Sequence, residues 1–178
     1  MIESLQGFMK ETSAGVKLTD KDLTDVKVLL DVQDHETAVR LRSDEITLVL
    51  DQLQESLRVL IPNNLAKEVH QKQTNKLFDE WNTLKKTARE TKKEIALPVR
   101  TAASANETKI EKLDTELKNF QQQMKKREFF KYDCGREQAL LKLDGVFEEI
   151  RAYEYDIEDL GYNARKFGNP ESIEQPIK

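Results

Sequence analysis

The stretch Leu77-Phe78-Asp79-Glu80-Trp81-Asn82-Thr83-Leu84-Lys85-Lys86-Thr87-Ala88 decides the fold class. Leu77, Trp81, Leu84 and Ala88 recur at steps of four, three and four, the period of one helix face. Ile95, Val99, Ala102, Ile110, Leu113, Leu117, Phe120 and Met124 carry the same stripe onward, nearly in phase. A stripe that narrow needs partner helices to cover it, because a lone helix forms no pocket of its own. The pattern therefore predicts an all-α chain: an elongated tandem bundle of three or four long antiparallel helices. A rod of this kind is a structural or interaction module.

Pro98 sits in the middle of the stripe. Inside a helix it removes one hydrogen bond and crowds the carbonyl of Glu94, at a cost of about 3 kcal/mol. Yet the stripe keeps its register through Ala102 and resumes at Ile110. Two outcomes stay open: a continuous, kinked helix over 64–130, or a turn within 98–106. The register favours the first, which would be about 100 Å long at 1.5 Å per residue. Upstream, Pro62-Asn63-Asn64 stops the preceding helix, since the residue before proline is pushed out of the α region. Asn64 then suits the cap of the next helix, which starts near Leu65.

Working outward, Leu23, Val26, Leu30, Leu41, Ile46, Val49, Leu53, Leu57 and Leu60 predict a helix from Thr19 to about Ile61. Thr19 with Asp22 makes a weak capping box, and the polar stretch 31–37 is the expected place for a kink. Residues 1–18, with Gly7, Ser13 and Gly15, show no sustained period and read as a short helix or loose lead-in. Downstream, Tyr132 to Gly135 ends the central helix. Leu140, Leu143, Phe147, Ile150, Ile157, Leu160, Ala164 and Phe167 then mark a helix over 136–167. Gly168-Asn169-Pro170 is a strong stop, and 168–178 reads as an extended tail. The expected organisation is a lead-in over 1–18, a first hairpin over 19–97, a second over 98–167, and the tail.

Composition agrees. Charged residues at 35% with hydrophobic residues at 38%, and only six glycines and four prolines, are typical of long packed helices rather than disorder. No apolar run reaches the roughly 20 residues that span a bilayer. The first residues lack a basic region followed by an apolar run, so no secretory signal is expected. One cysteine, Cys134, cannot form an internal disulfide, which suits a reducing cytoplasmic compartment. The net charge of −4 hides three blocks. Residues 1–63 carry 7 basic against 12 acidic side chains, 64–131 carry 16 against 10, and 132–178 carry 6 against 11. Complementary blocks are expected to pack on one another. Nucleic acid is not an expected partner, because the flanking acidity repels phosphate.

The chemistry-bearing residues point to no reaction. GxxxxGK[ST] and GxGxxG loops are absent, and His35 and His70 stand alone without metal-ligand spacing. Cys134 has no histidine near it in sequence. Glu148, Glu149, Glu154, Asp156, Glu158 and Asp159 form an acidic run, yet no Glu-x-x-His motif accompanies it, so a solvated face is expected rather than a metal site. Lys125-Lys126-Arg127 reads as a solvated helix end. Trp81 is expected as a core anchor, its indole N–H seeking one acceptor. Tyr153, Tyr155 and Tyr162 leave the strict stripe and would either widen the buried face or mark a docking surface. No catalytic, cofactor or metal residues are assigned, and no small-molecule substrate or membrane is expected.

Several of these residues carry a resemblance. The run Asp22-Leu23-Thr24-Asp25-Val26-Lys27-Val28-Leu29-Leu30, then Trp81-x-x-Leu84-x-x-x-Ala88 leading into Leu97-Pro98, resembles the tail of dynein heavy chains, closer to axonemal than cytoplasmic ones. Phe120 with Phe129 or Phe130 loosely matches that family's spaced phenylalanines, and Ala164-x-x-Phe167-x-x-Pro170 its A-x-x-F-x-x-P. The likeness runs over about residues 20–178 through many weak positions, and Gly7 to Lys17 has no counterpart. It implies a non-catalytic piece of a longer microtubule-motor chain, from the helical-bundle tail that precedes the linker. Its partners would be intermediate chains, light chains or neighbouring heavy chains, on the cytoskeleton and, for the axonemal type, in the axoneme of a cilium. Asp22 to Leu57 followed by Trp81-x-x-Leu84 also resembles helices B and C of a spectrin-type repeat. That implies a cytoskeletal cross-linker of similar architecture.

Overall fold

The computed structural model describes residues 2–63, 67–127 and 135–174, and among them every regular element is a helix. They are α1 (Ile2–Val16), α2 (Val26–Leu41), α3 (Ser43–Leu60), α4 (Glu68–Met124), α5 (Arg136–Lys166) and the short α6 (Glu171–Glu174). The chain divides into two compact units, Met1–Pro98 and Val99–Lys178.

The first unit is built on the early part of α4. Thr74, Leu77, Trp81, Leu84, Ala88, Thr91 and Ile95 are all buried, an unbroken series of three- and four-residue steps. Leu77, Trp81, Leu84 and Ala88 meet Met9 and Val16 of α1, Val39 of α2, and Ile46 and Leu50 of α3 in one core. The apolar count skipped position 91 because a threonine stands there. Its hydroxyl is satisfied by donating to the Val16 carbonyl at 2.8 Å, across 75 residues of sequence.

The stretch read as a short helix or a loose lead-in is the former, helix α1, with Met9, Thr12, Gly15 and Val16 buried. The glycines weighed against a helix there, but Gly15 has a packing reason. A Cβ at that position would lie 2.2 Å from the His35 ring, so only glycine lets α1 approach α2 this closely. The end of α1 has no basic residue in its last turn. Its carbonyls are met instead from afar, Val16 by Thr91 and Gly15 by the Lys21 ammonium at 2.6 Å.

The expected single helix from Thr19 to Ile61 is corrected at both ends of α2. Thr19 and Asp20 form a turn closed by the Lys21 N–H on the Leu18 carbonyl, with Asp20 at φ 63°. The cap is Asp25, whose side chain accepts from the Lys27 N–H at 2.8 Å. Several Asp and Thr residues competed for that role, and the one just before the apolar residues holds it. The interruption falls at Arg42 (φ −96°, ψ 3°) rather than within 31–37. Leu41, expected in the stripe, is consequently 71% exposed, while Leu29, Leu30, Val32 and Val39 carry the buried face of α2.

α4 passes through Pro98 as one helix from Glu68 to Met124, so no turn interrupts 98–106, and the helix is shorter than the 64–130 considered. In the second unit Ile110 and Leu113 pack on Leu160 and Ala164 of α5, flanked by Leu117, Tyr153, Ile157 and Ile173. Position 106, also skipped by the apolar count, is a buried asparagine whose amide donates to the Leu160 carbonyl at 3.2 Å. Leu140 and Phe147, expected on the inner stripe of α5, are exposed, and Val146 is buried in their stead.

α5 ends as its sequence predicts. Gly168 adopts φ 82°, its N–H meets the Arg165 carbonyl, and the Asn169 N–H meets that of Ala164, a Schellman motif. The residues beyond are not wholly extended: Glu171–Glu174 form α6, and Ile173 packs over Gly161. The expectations placed on Asn64, Leu65, Phe129, Phe130, Tyr132 and Cys134, and on residues 175–178, lie outside the described residues.

Candidate functional site

The most constrained polar group in the first unit surrounds Trp81. The indole is fully buried, and its Nε1–H donates to Thr47 Oγ1 at 3.2 Å. That oxygen donates in turn to the Ser43 carbonyl and accepts from Lys85 Nζ at 3.4 Å, and the Lys85 ammonium stands 5.7 Å from the Trp81 ring centroid. The tryptophan is thus an anchor with its one donor satisfied. Thr12, Thr74 and Thr91 also donate to backbone carbonyls. A hydroxyl committed to a carbonyl is not held by a base, so none of these is set up as a nucleophile.

Beside this anchor lies a cleft of about 160 Å³ between α2, the start of α3, and α4, lined by Glu36, Arg40, Lys85, Arg89 and Lys92 among others. Glu36 is buried, with Arg40 Nε 3.9 Å from its carboxylate. Arg40 is the cation placed against that carboxylate, and Lys85, Arg89 and Lys92 leave the cleft's lining net basic. A broader groove of about 660 Å³ runs between α1 and α4, rimmed by Lys10, Lys17, Lys76, Asp79 and Glu80. Its rim mixes both signs and converges on no single point.

The two histidines are apart. His35 packs on Gly15 with Asp31 at 3.5 Å, and Asp31 also faces Lys21 at 3.7 Å. His70 Nδ1 accepts from the Lys67 N–H in the first turn of α4. Among the described residues, Asp22 is the titratable group whose surroundings shift it clearly. The Thr24 hydroxyl, and then the Thr24 N–H, donate to its carboxylate and hold it below the usual carboxylate range. Among the described residues no group of three or more His, Cys, Asp or Glu is placed to hold a metal ion, and no helix is long and apolar enough to cross a membrane.

In the second unit Arg127 forks onto Glu149 and lies 5.3 Å from the Phe120 ring centroid. One member of the basic run 125–127 is therefore engaged within the fold. Phe120 meets Tyr153 edge to face at 5.3 Å. Tyr153 widens the buried face, whereas Tyr155 and Tyr162 are exposed. Glu154, Asp156 and Glu158 stay solvated on α5. Sequence reasoning missed the buried polar fasteners Thr91 and Asn106. The signal was present: both fall on the three- and four-residue steps of the stripe. Compared with known proteins, the chain matches no family model, no curated protein and no solved structure.

Proposed function

We propose that this chain is a structural segment of a dynein heavy-chain tail, of axonemal type, serving as a mechanical and assembly scaffold. In this reading the segment does no catalysis itself; the ATPase ring and the microtubule-binding tip belong to other parts of the parent motor. Its partners are intermediate and light chains or neighbouring heavy chains, and its place is the cytoskeleton of a cilium or flagellum. The finer architecture is a tandem, spectrin-repeat-like packing of long antiparallel helices.

The observation that carries the reading is α4 itself. One helix from Glu68 to Met124 holds Trp81, Leu84 and Ala88 in one core and Ile110 and Leu113 in the next, without a break at Leu97-Pro98. A load-bearing tail needs force to pass along covalently continuous helices with side-chain anchors. Of the residues that resemble the dynein tail, Trp81, Leu84, Ala88 and Ala164 lie in the two cores. The same continuity favours one alternative, a spectrin-type repeat of a cytoskeletal cross-linker, in which a helix runs from one repeat into the next.

Binding separates the two. The full chain, immobilised, would be offered solubilised axonemal dynein subunits and, separately, filamentous actin. Retention of intermediate chains supports the tail reading. Co-sedimentation with actin and no dynein subunit retained would transfer the assignment to the cross-linker, and neither result would remove both.

A further inference from the structure

Helix α5 has two apolar faces. One, formed by Val146, Tyr153, Ile157, Leu160 and Ala164, is the buried or half-buried face of the second unit. At 100° per residue the opposite side carries Leu140, Leu141, Phe147, Tyr155 and Tyr162. All five are exposed, from 49% at Tyr162 to 72% at Leu141. Leu140 and Phe147 share one seven-residue position, and Leu141, Tyr155 and Tyr162 share the neighbouring one, with Glu148 between the first two of these. The five thus spread over a broad outward face, about 33 Å long, rather than a narrow seam. Scattered surface hydrophobes need no explanation, but five on one side of one helix do.

Charge selects the occupant. Asp144, Glu148, Glu154 and Glu158 lie on the same outward face. Glu148 is paired with Arg151 of its own helix, whereas Asp144, Glu154 and Glu158 make no ion pair among the described residues. A second copy laid on this face would bring like charges together, and an anionic lipid surface would be repelled. A helix with an apolar seam and Lys or Arg along its flanks matches both features. We propose that the outward face of α5, from Leu140 to Tyr162, is a docking surface for a basic amphipathic helix of a partner protein. The partner helix would lay its apolar residues between Phe147 and Tyr155 and place its cations against Asp144, Glu154 and Glu158. This inference goes beyond the tail assignment and does not depend on it.

The test uses the full chain and two labelled helical peptides of about 24 residues, long enough to follow the stripe. Both have leucine at the seam; one has lysine at the flanks and the other glutamate. The lysine peptide should bind about tenfold or more tightly than the glutamate peptide by fluorescence anisotropy, and about 0.5 M salt should erode that preference. Leu141→Ser with Tyr155→Ser, both at exposed positions, should weaken binding about tenfold while circular dichroism stays unchanged. Asp144→Lys, Glu154→Lys and Glu158→Lys together should invert the preference toward the glutamate peptide. Equal affinity for the two peptides, or no response to either variant, would overturn the proposal. So would sedimentation showing a dimer that the serine variant abolishes, which would make the occupant a second copy. Capture by phosphatidylglycerol vesicles that the serine variant loses would likewise replace the partner helix with a membrane.

Discussion

Trp81 is fully buried with its indole N–H bonded to Thr47, so its removal has two consequences. Trp81→Ala should cost about 3–5 kcal/mol through lost burial and the cavity left behind. Denaturant unfolding measures it, and a loss below about 1 kcal/mol would mean the ring is not the anchor described. Asp22 gives a prediction of a different kind. Its lowered pKa means that its contribution to stability is present above the ordinary carboxylate range and is lost as pH falls through the folded-state value. The Thr24 hydroxyl is the first cause, so Thr24→Ala should move the Asp22 pKa upward in a carboxyl NMR titration. An unchanged titration would assign the shift to the backbone N–H alone.

At the scale of elements, the helices that were legible in the sequence are those with an uninterrupted stripe and an explicit stop. α4 announced itself by Leu77, Trp81, Leu84 and Ala88, and the end of α5 by Gly168. α1 was legible only as one of two alternatives, because its glycines count against a helix on propensity, by about 1 kcal/mol each, while the reason for Gly15 lies on another element. The break at Arg42 carries no glycine, no proline and no side-chain cap bond, so no local signal marks it. The fasteners Thr91 and Asn106 were hidden by counting only apolar residues along a stripe whose steps they complete. The Gly15 contact can be tested directly. Gly15→Ala should destabilise the chain by about 1–3 kcal/mol despite the better helix former, because the new methyl meets the His35 ring. Pairing it with His35→Ala should recover much of that loss in a double-mutant cycle. Additive losses would place the strain elsewhere.

For the whole molecule, the block pattern of charge promised more than the ion pairs deliver. Among the described residues, most pairs join residues three or four apart on one helix, such as Asp114 with Lys118 and Glu55 with Arg58. Lys21 with Asp31 and Arg127 with Glu149 join more distant residues. Stability therefore rests on the two apolar cores and the buried polar fasteners. Raising salt from low to about 0.5 M should lower unfolding free energy by less than about 1 kcal/mol. A larger loss, read from denaturant midpoints, would show that the blocks attract one another over longer range than their direct contacts.

The Thr91 hydroxyl on the Val16 carbonyl also sets an order of events during synthesis. α1 is made before α4, yet the group that closes its last turn is 75 residues behind it. At ordinary translation rates that interval is roughly 4–15 s. Throughout it, Met9 and Val16 have only α2 and α3 to lie on, so the core of the first unit stays open on one side until α4 is made.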